Sequence, residues 1–414
     1  MSLSFLTPTQ IEDTLNQLLA SFPYDNKSVL VLVPDLTRTM PLPLFFRLIE
    51  KQLQPRVRRL DFMIALGTHA PLNEAQICQL FGLTSTADYP HIAFLNHAWD
   101  DSESLTEVGT IPAARVKELS QGLMAQPIPV RLNRHILDYE ELLICGPVFP
   151  HEVAGFSGGN KYLFPGIAGQ EIIDVTHWIG ALVTSFALIG VKDTPVRRLI
   201  DEAASLVPRP RRALCSVVEK GGVSGIFGGL PEQAWNQAAD LAAQTHITWV
   251  DRPYKTVLSL LPKMYDEIWV GAKGMYKLEP VIQDGGEVIL YAPHIQHLSV
   301  VHGDLIRKIG YHCRDYFTGQ WDKFKNYPWG VLAHSTHLRG AGQYNPSTGQ
   351  ENLRIQVTLA TQISQQECLD LNLGWRDWRT IDLDEWKNEA KTNPDLLVVP
   401  DAGEQLYRLR KPEC

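Results

Sequence analysis

Short apolar runs rich in β-branched residues alternate along this chain with longer amphipathic stretches, and few architectures accommodate that alternation. Strands separated by helices return in parallel, and a parallel sheet is covered by helices on both faces. The pattern predicts strands at Ser28–Val33, Asp61–Leu66, His91–Leu95, Glu141–Cys145, Phe186–Val191, Ala213–Val218 and Thr256–Leu261. It predicts helices at Pro8–Ser21, Pro41–Leu53, Asn73–Phe81, Ala113–Leu119 and Pro195–Leu206, with Asn73 and Gln76 spaced as a capping pair. A second unit begins near Asp251, with strands expected at Asp266–Val270, Glu287–Tyr291 and Leu396–Val399. A chain of 414 residues exceeds one ordinary core. The expected fold is therefore α/β in two domains with largely parallel sheets, residues 1–250 and 251–414.

Charge narrows the function classes. A net charge of -8 leaves no basic excess to neutralise a phosphate backbone, so nucleic acid is not the expected partner. The N-terminus lacks the cationic start and apolar run of a signal peptide, and the apolar stretch from Ile179 to Val191 is too short to span a bilayer. The cysteines, at 78, 145, 215, 313, 368 and 414, form no C-x-x-C pair. Free thiols in a reducing cytoplasm are expected, with no membrane partner.

Ligands of open parallel sheets bind beyond the C-terminal strand ends. Three polar segments fall there: Asp35-Leu36-Thr37-Arg38, Gly67-Thr68-His69 and Pro150-His151-Glu152. Arg38 offers a planar fork that suits a carboxylate, although D-x-T-R also reads as a loop salt bridge. His69 and His151 are suited to moving protons near neutrality, although a single histidine commonly packs as a core residue, and the same holds for His177. The stretch Gly155-Phe156-Ser157-Gly158-Gly159-Asn160-Lys161 has the composition of an anion cradle, or equally of a tight turn. It is not a P-loop, because Tyr162 stands where Ser or Thr would follow the lysine.

Taken in order, these segments resemble the lactate racemase family, the nickel-pincer nucleotide enzymes. The resembling residues are Pro34-Asp35-Leu36-Thr37-Arg38, Gly67-Thr68-His69, Pro150-His151 through Lys161, Pro165-Gly166-Ile167, and His177. The likeness is close over most of residues 25 to 195 and loose elsewhere. It implies a site in the cleft between two α/β domains, the second closing over the substrate. It implies that Lys161 carries the nickel-pincer nucleotide, a pyridinium mononucleotide bearing a thioamide and a thiocarboxylate. His177 would complete nickel coordination, and the loop at Ser157, Gly158 and Gly159, with Asp35 and Thr37, would contact the cofactor. His69 and His151 would be the acid–base pair and Arg38 the carboxylate anchor. C2 of a 2-hydroxy acid would then invert by hydride transfer through a 2-keto acid, and cofactor-maturation enzymes would be partners. Protein made without them would be an apo-form.

The resemblance weakens at Gly271–Pro280, where a Tyr-Gln-x-x-Lys segment is expected and Lys273 and Lys277 stand as candidate replacement cations for substrate. With His334-Ser335-Thr336-His337 downstream, this departure favours a larger hydroxy acid, such as an aldonic acid, over lactate. Two other readings are open. His294-x-x-His297 and His334-x-x-His337 have zinc-like spacing, which suits a metal-dependent hydrolase. A non-catalytic nucleotide or cofactor carrier would need the Gly-rich loop and Lys161 without paired histidines.

Overall fold

The computed structural model describes residues 5–120, 122 and 124–410; Cys414 lies outside the described residues. The chain folds as two compact units that do not follow one cut near residue 250. Unit 1 comprises Met1–Phe149, Phe156–Thr176 and Lys192–Thr245, and unit 2 comprises Pro150–Gly155, His177–Val191 and His246–Cys414.

Unit 1 is built on a six-stranded sheet of β1 (Ser28–Val33), β2 (Arg59–Ile64), β3 (Phe94–Asn96), β4 (Glu141–Pro147), β5 (Arg211–Glu219) and β6 (Gly222–Gly229), in spatial order β3-β2-β1-β4-β5-β6. All neighbours are parallel except the β5–β6 hairpin. Every residue of β1 is buried, as a central parallel strand requires. Helices α1 (Pro8–Ser21), α2 (Leu42–Leu53) and α3 (Glu74–Phe81) bury their apolar faces against β1 and β2 in one core. Thr7 and Asn73 close capping boxes at the starts of α1 and α3. Between α2 and the sheet, Phe46 meets Phe62, Phe81 and Tyr89 edge-on, a preferred aromatic geometry. Further along are α4 (Ala113–Leu119), α5 (Gln170–Val183), whose residues from His177 on belong to unit 2, α6 (Pro195–Ser205) and α7 (Pro231–Thr245).

Unit 2 contains an all-parallel five-stranded sheet of β7 (Tyr254–Leu260), β8 (Ile282–Ala292), β9 (Gln356–Thr361), β10 (Gly374–Trp375) and β11 (Leu396–Val399), in order β10-β9-β8-β7-β11. Its longest helix after the chain re-enters at His246 is α8 (Trp329–Arg339).

Two expected strands are absent. Ser185–Leu188 is a short helix whose Phe186 and Ala187 are exposed, so this run is not a two-sided buried strand. Ile268–Gly271 is also a helical turn. Four or five apolar residues carry no period that separates the two states. The glycine-rich β6 escapes sequence reading for a different reason. A Cβ at Gly225 would lie 2.5 Å from Leu241 and one at Gly228 2.8 Å from Leu18, so the glycines let α7 and α1 approach this strand.

His97, just past β3, shows how the segment leading into α5 is held. Its Nδ1 accepts from Asn133 Nδ2 at 3.2 Å and its Nε2–H donates to the Ala168 carbonyl at 2.9 Å. Burial holds this imidazole down at about 4, against the opposing pull of that carbonyl. The neutral ring is the folded form, so its stabilisation is fully present above about pH 6.5 and is lost as pH falls through about 4. Between pH 7.5 and pH 5 the wild type should lose on the order of 2 kcal/mol more stability in urea than His97→Gln. Equal losses in both proteins would mean that the folded ring accepts a proton freely.

Candidate functional site

In unit 1 the strand order reverses at β1, with β2 on one side and β4 on the other. Val33 lies opposite Ile64, and Leu32 opposite Ile144. The loops that leave β1, β2 and β4 therefore emerge at the same sheet edge, at a topological switch point. This brings Asp35 to His69: the Asp35 carboxylate meets His69 Nδ1 through Oδ2. The other carboxylate oxygen accepts from the Thr37 amide at 3.1 Å and the Thr37 hydroxyl at 2.7 Å. Burial alone would raise the Asp35 carboxyl, but the His69 imidazole, with Arg38 and Thr37, holds it well below the usual carboxylate range. A charged Asp35 selects the tautomer with hydrogen on Nδ1 and leaves the Nε2 lone pair of His69 as a base. Asp35, which the sequence offered with Thr37 as a cofactor contact, bonds to both His69 and Thr37.

Gly67, at φ +57°, donates its amide to the Gly166 carbonyl at 2.9 Å, joining the G-T-H and P-G-I segments. The Arg38 guanidinium lies 5.5 Å from the centre of the Phe149 ring, just past β4. Tyr162 fills the space over Gly146, where a Cβ would come within 1.9 Å of the phenol oxygen. Burial raises this phenol's pKa, with Arg38 opposing.

The Ser157–Lys161 loop is held from several directions. The Ser157 hydroxyl donates to the Pro147 carbonyl at 3.0 Å and accepts from the Phe149 amide at 3.0 Å. Burial pushes the Cys215 thiol up to about 12, with the Gly159 amide and Arg197 opposing. Added Cβ atoms at Gly158 and Gly159 would lie 2.5 Å from Val148 and 3.0 Å from Trp235. The hydroxyl hydrogen expected to meet a phosphate is therefore already donated within the protein, and these glycines serve close packing. Buried Arg197 donates to the Phe156 carbonyl at 2.6 Å and stacks on Trp235 at 4.1 Å, while Trp235 Nε1 donates to the Ser157 carbonyl at 2.7 Å. Burial lowers the Arg197 guanidinium to about 10, with Asp201 opposing. Asn160 Nδ2 reaches Asp201 at 3.0 Å and Glu232 at 2.7 Å. Lys161, half-buried, stands on the short 3-10 helix Gly159–Tyr162 that these contacts fix. Sequence reasoning missed Arg197, Trp235 and Asn160. The available signal was an arginine among the apolar residues Val196, Leu199 and Ile200 of α6.

In unit 2, His151 is buried. Its Nδ1 accepts from the Val153 amide at 3.1 Å and lies 3.3 Å from the Glu152 carboxylate. The amide selects hydrogen on Nε2 and the carboxylate selects hydrogen on Nδ1, so both tautomers have a partner. His177 is half-buried on α5, beside Trp178, which stacks on Trp321 at 5.2 Å. His334 lies flat on Trp269 at 3.9 Å and its Nε2–H donates to the Trp269 carbonyl at 3.1 Å. Burial lowers His334 to about 3 and His337 to about 4; Glu152 opposes the shift at His337 and His177 adds to it. His294 sits in a turn and donates to the Tyr265 carbonyl at 3.0 Å. Among the described residues no group of three His, Cys, Asp or Glu side chains could hold a metal ion. The H-x-x-H pairs therefore lack the further protein ligand that a zinc site needs. Lys273 lies over the Tyr265 ring at 4.7 Å, and buried Lys277 donates to the Glu404 carbonyl at 3.2 Å. Both replacement cations thus have partners inside their own unit.

Residues 9–187 match the lactate racemase N-terminal domain family. The lactate racemase of Thermoanaerobacterium thermosaccharolyticum is 24% identical over 273 residues, 64% of this chain and 60% of that protein. The lactate racemase of Lactiplantibacillus plantarum is 20% identical over 269 residues, with the same coverage. The match thus spans less than two thirds of either relative. Among solved structures, a structural-genomics target from Thermotoga maritima superposes with a TM-score of 0.89 at 31% identity, covering 98% of this chain and 99% of that one. The lactate racemase apoprotein of Thermoanaerobacterium thermosaccharolyticum superposes with a TM-score of 0.69 at 20% identity, covering 97% of this chain and 93% of that one, a likeness of fold. Among the described residues no helix is long and apolar enough to cross a membrane.

The Asp35–His69 pair can be checked without turnover. Nitrogen-15 spectra of imidazole-labelled wild type should show His69 carrying its hydrogen on Nδ1. Asp35→Asn should move it substantially to Nε2, because the amide no longer offers a charged acceptor. An unchanged His69 signal in the variant would remove Asp35 from the positioning role.

Proposed function

The chain is a member of the lactate racemase family, and from that premise we propose that it is a racemase or epimerase that inverts C2 of a 2-hydroxy acid. The observation that carries the reading is the buried, charged Asp35 holding His69 at the carboxyl end of the unit 1 sheet. A hydrogen on C2 beside a hydroxyl is a poor acid, so its departure as hydride, leaving a planar 2-keto acid, is the easier route. Protein side chains offer no electron sink for that step. When bound, a nickel-pincer nucleotide supplies the hydride acceptor.

The residues present fit such a group. Lys161 is the attachment point, on a helical turn that Arg197, Trp235 and Asn160 keep fixed. His177 would be the protein's ligand to nickel, the metal's remaining donors belonging to its nucleotide. The Ser157–Gly159 loop shapes the attachment point.

Arg38 binds the substrate carboxylate through its guanidinium fork. His69 Nε2 takes the hydroxyl proton from one enantiomer, and His151 supplies a proton to the oxygen as the other enantiomer forms. In the reverse direction the roles exchange. Each imidazole regains its starting state by proton exchange with water, and Glu152 stabilises the charged His151 ring. Maturation enzymes would be the protein partners. A reducing cytoplasm suits the five described cysteines, all free.

Two outcomes are expected. Protein co-expressed with cofactor-maturation enzymes should carry a mass adduct on Lys161 together with nickel, and Lys161→Ala should carry neither. Zinc-bound protein with Lys161 unmodified and nickel absent would sink the reading. In matured protein, His69→Ala and His151→Ala should each lower epimerisation by about 10²-fold or more while the adduct stays in place. Normal turnover in either variant would remove that histidine from the acid–base pair.

A further inference from the structure

The second half of α5, from His177 to Val183, belongs to unit 2 and carries the imidazole assigned above to nickel. Three contacts inside unit 2 hold it. Trp178, 2% exposed, stacks on half-buried Trp321, with ring centres 5.2 Å apart and planes 12° apart. Arg314 donates to the Leu182 carbonyl at 3.0 Å, one of the carbonyls that a helix end leaves open. Gly180 lies against Val153: an added Cβ would meet the Val153 Cγ1, Cα and carbonyl oxygen at 3.1, 3.3 and 3.4 Å. Thr184 then ends the helix at φ +83°, a conformation that a β-branched residue keeps only where its surroundings enforce it.

Successive residues of a helix point about 100° apart, and residues three apart share a face. The Trp178–Trp321 stack therefore fixes the rotation at which the neighbouring His177 leaves the helix. Gly180 shares the face of His177, and its contact with Val153 fixes how near that face comes to the segment Pro150–Gly155. His151 Nδ1 accepts from the Val153 amide at 3.1 Å, so the residue that Gly180 touches also supports the second imidazole. His337, on α8, lies within electrostatic reach of both Glu152 and His177, which brings the two segments together from a third element. Helix propensity favours alanine over glycine at an interior position such as 180. The glycine is explained by the approach it permits.

We propose that Gly180 and Trp321 are positioning residues for the metal ligand: Gly180 sets the depth and Trp321 the rotation at which α5 presents His177. The proposal rests on the racemase reading for the identity of the metal, and on the contacts above for the placement of the imidazole.

The full chain tests it, first expressed without maturation enzymes. Imidazole carbon-13 spectra, assigned through His177→Gln and His151→Gln, should show the His177 and His151 signals moved in Gly180→Ala and the His69 signal of unit 1 unmoved. The melting temperature of Gly180→Ala should hold or rise, because alanine is the better helix former. Trp321→Ala should speed amide hydrogen exchange over residues 177–183 by about tenfold or more, and Trp321→Phe should restore it by keeping an aromatic stack. In matured protein both alanine variants should keep the Lys161 adduct yet release nickel to a chelator about tenfold faster than wild type, with Trp321→Phe close to wild type. Should Trp321→Ala fold poorly, Gly180→Ala decides alone. An unmoved His177 signal in Gly180→Ala, nickel release at the wild-type rate, or a lowered melting temperature without faster release would each overturn the positioning role. The two readings fail separately. A wild type lacking adduct and nickel would remove the racemase reading, while the spectra and the amide exchange still judge how the imidazole is placed.

Discussion

The parallel pairing of β1 with β2 on one side and β4 on the other is the constraint from which unit 1's chemistry follows. Residues distant in sequence share an edge because the register sets Val33 against Ile64 and Leu32 against Ile144. Shifting a parallel strand by one residue would turn its side chains to the opposite face, and fully buried β1 has no solvent face to receive a polar group. Asp35 and His69 therefore meet as a consequence of core packing, and the buried carboxylate stays charged because the ring is there.

The loop that bears Lys161 illustrates a second principle. Glycine-rich segments read easily as anion cradles, yet here the hydroxyl of Ser157 is used internally. What the glycines permit is close approach of Val148 and Trp235. Burying Arg197 opposes its charge, and its bond to the Phe156 carbonyl with stacking on Trp235 offsets that cost. A rigid support of this kind suits a lysine meant to hold a group in one orientation.

Much of the fold was legible because periodicity and caps are local. Helices at Pro8–Ser21 and Ala113–Leu119 and the strand at Ser28–Val33 match their expected bounds. The antiparallel pair Leu105–Ile111 and Ile128–Asn133 was not foreseen, because partly exposed strands carry a weak pattern. The assignment of 150–155 and 177–191 to unit 2 was equally hidden, since which compact body a segment joins depends on contacts far away in sequence.

By itself the sequence determined the α/β alternation, the order of the motif segments and the identity of Asp35, Arg38, His69, His151, Lys161 and His177 as residues to watch. Only the tertiary structure decided what each side chain touches: Asp35 bonded to both His69 and Thr37, Ser157 turned inward, and Lys277 tied to Glu404. Residue type and local spacing set which hydrogen bonds a side chain is able to make. Which of them forms depends on neighbours that the fold brings from elsewhere in the chain.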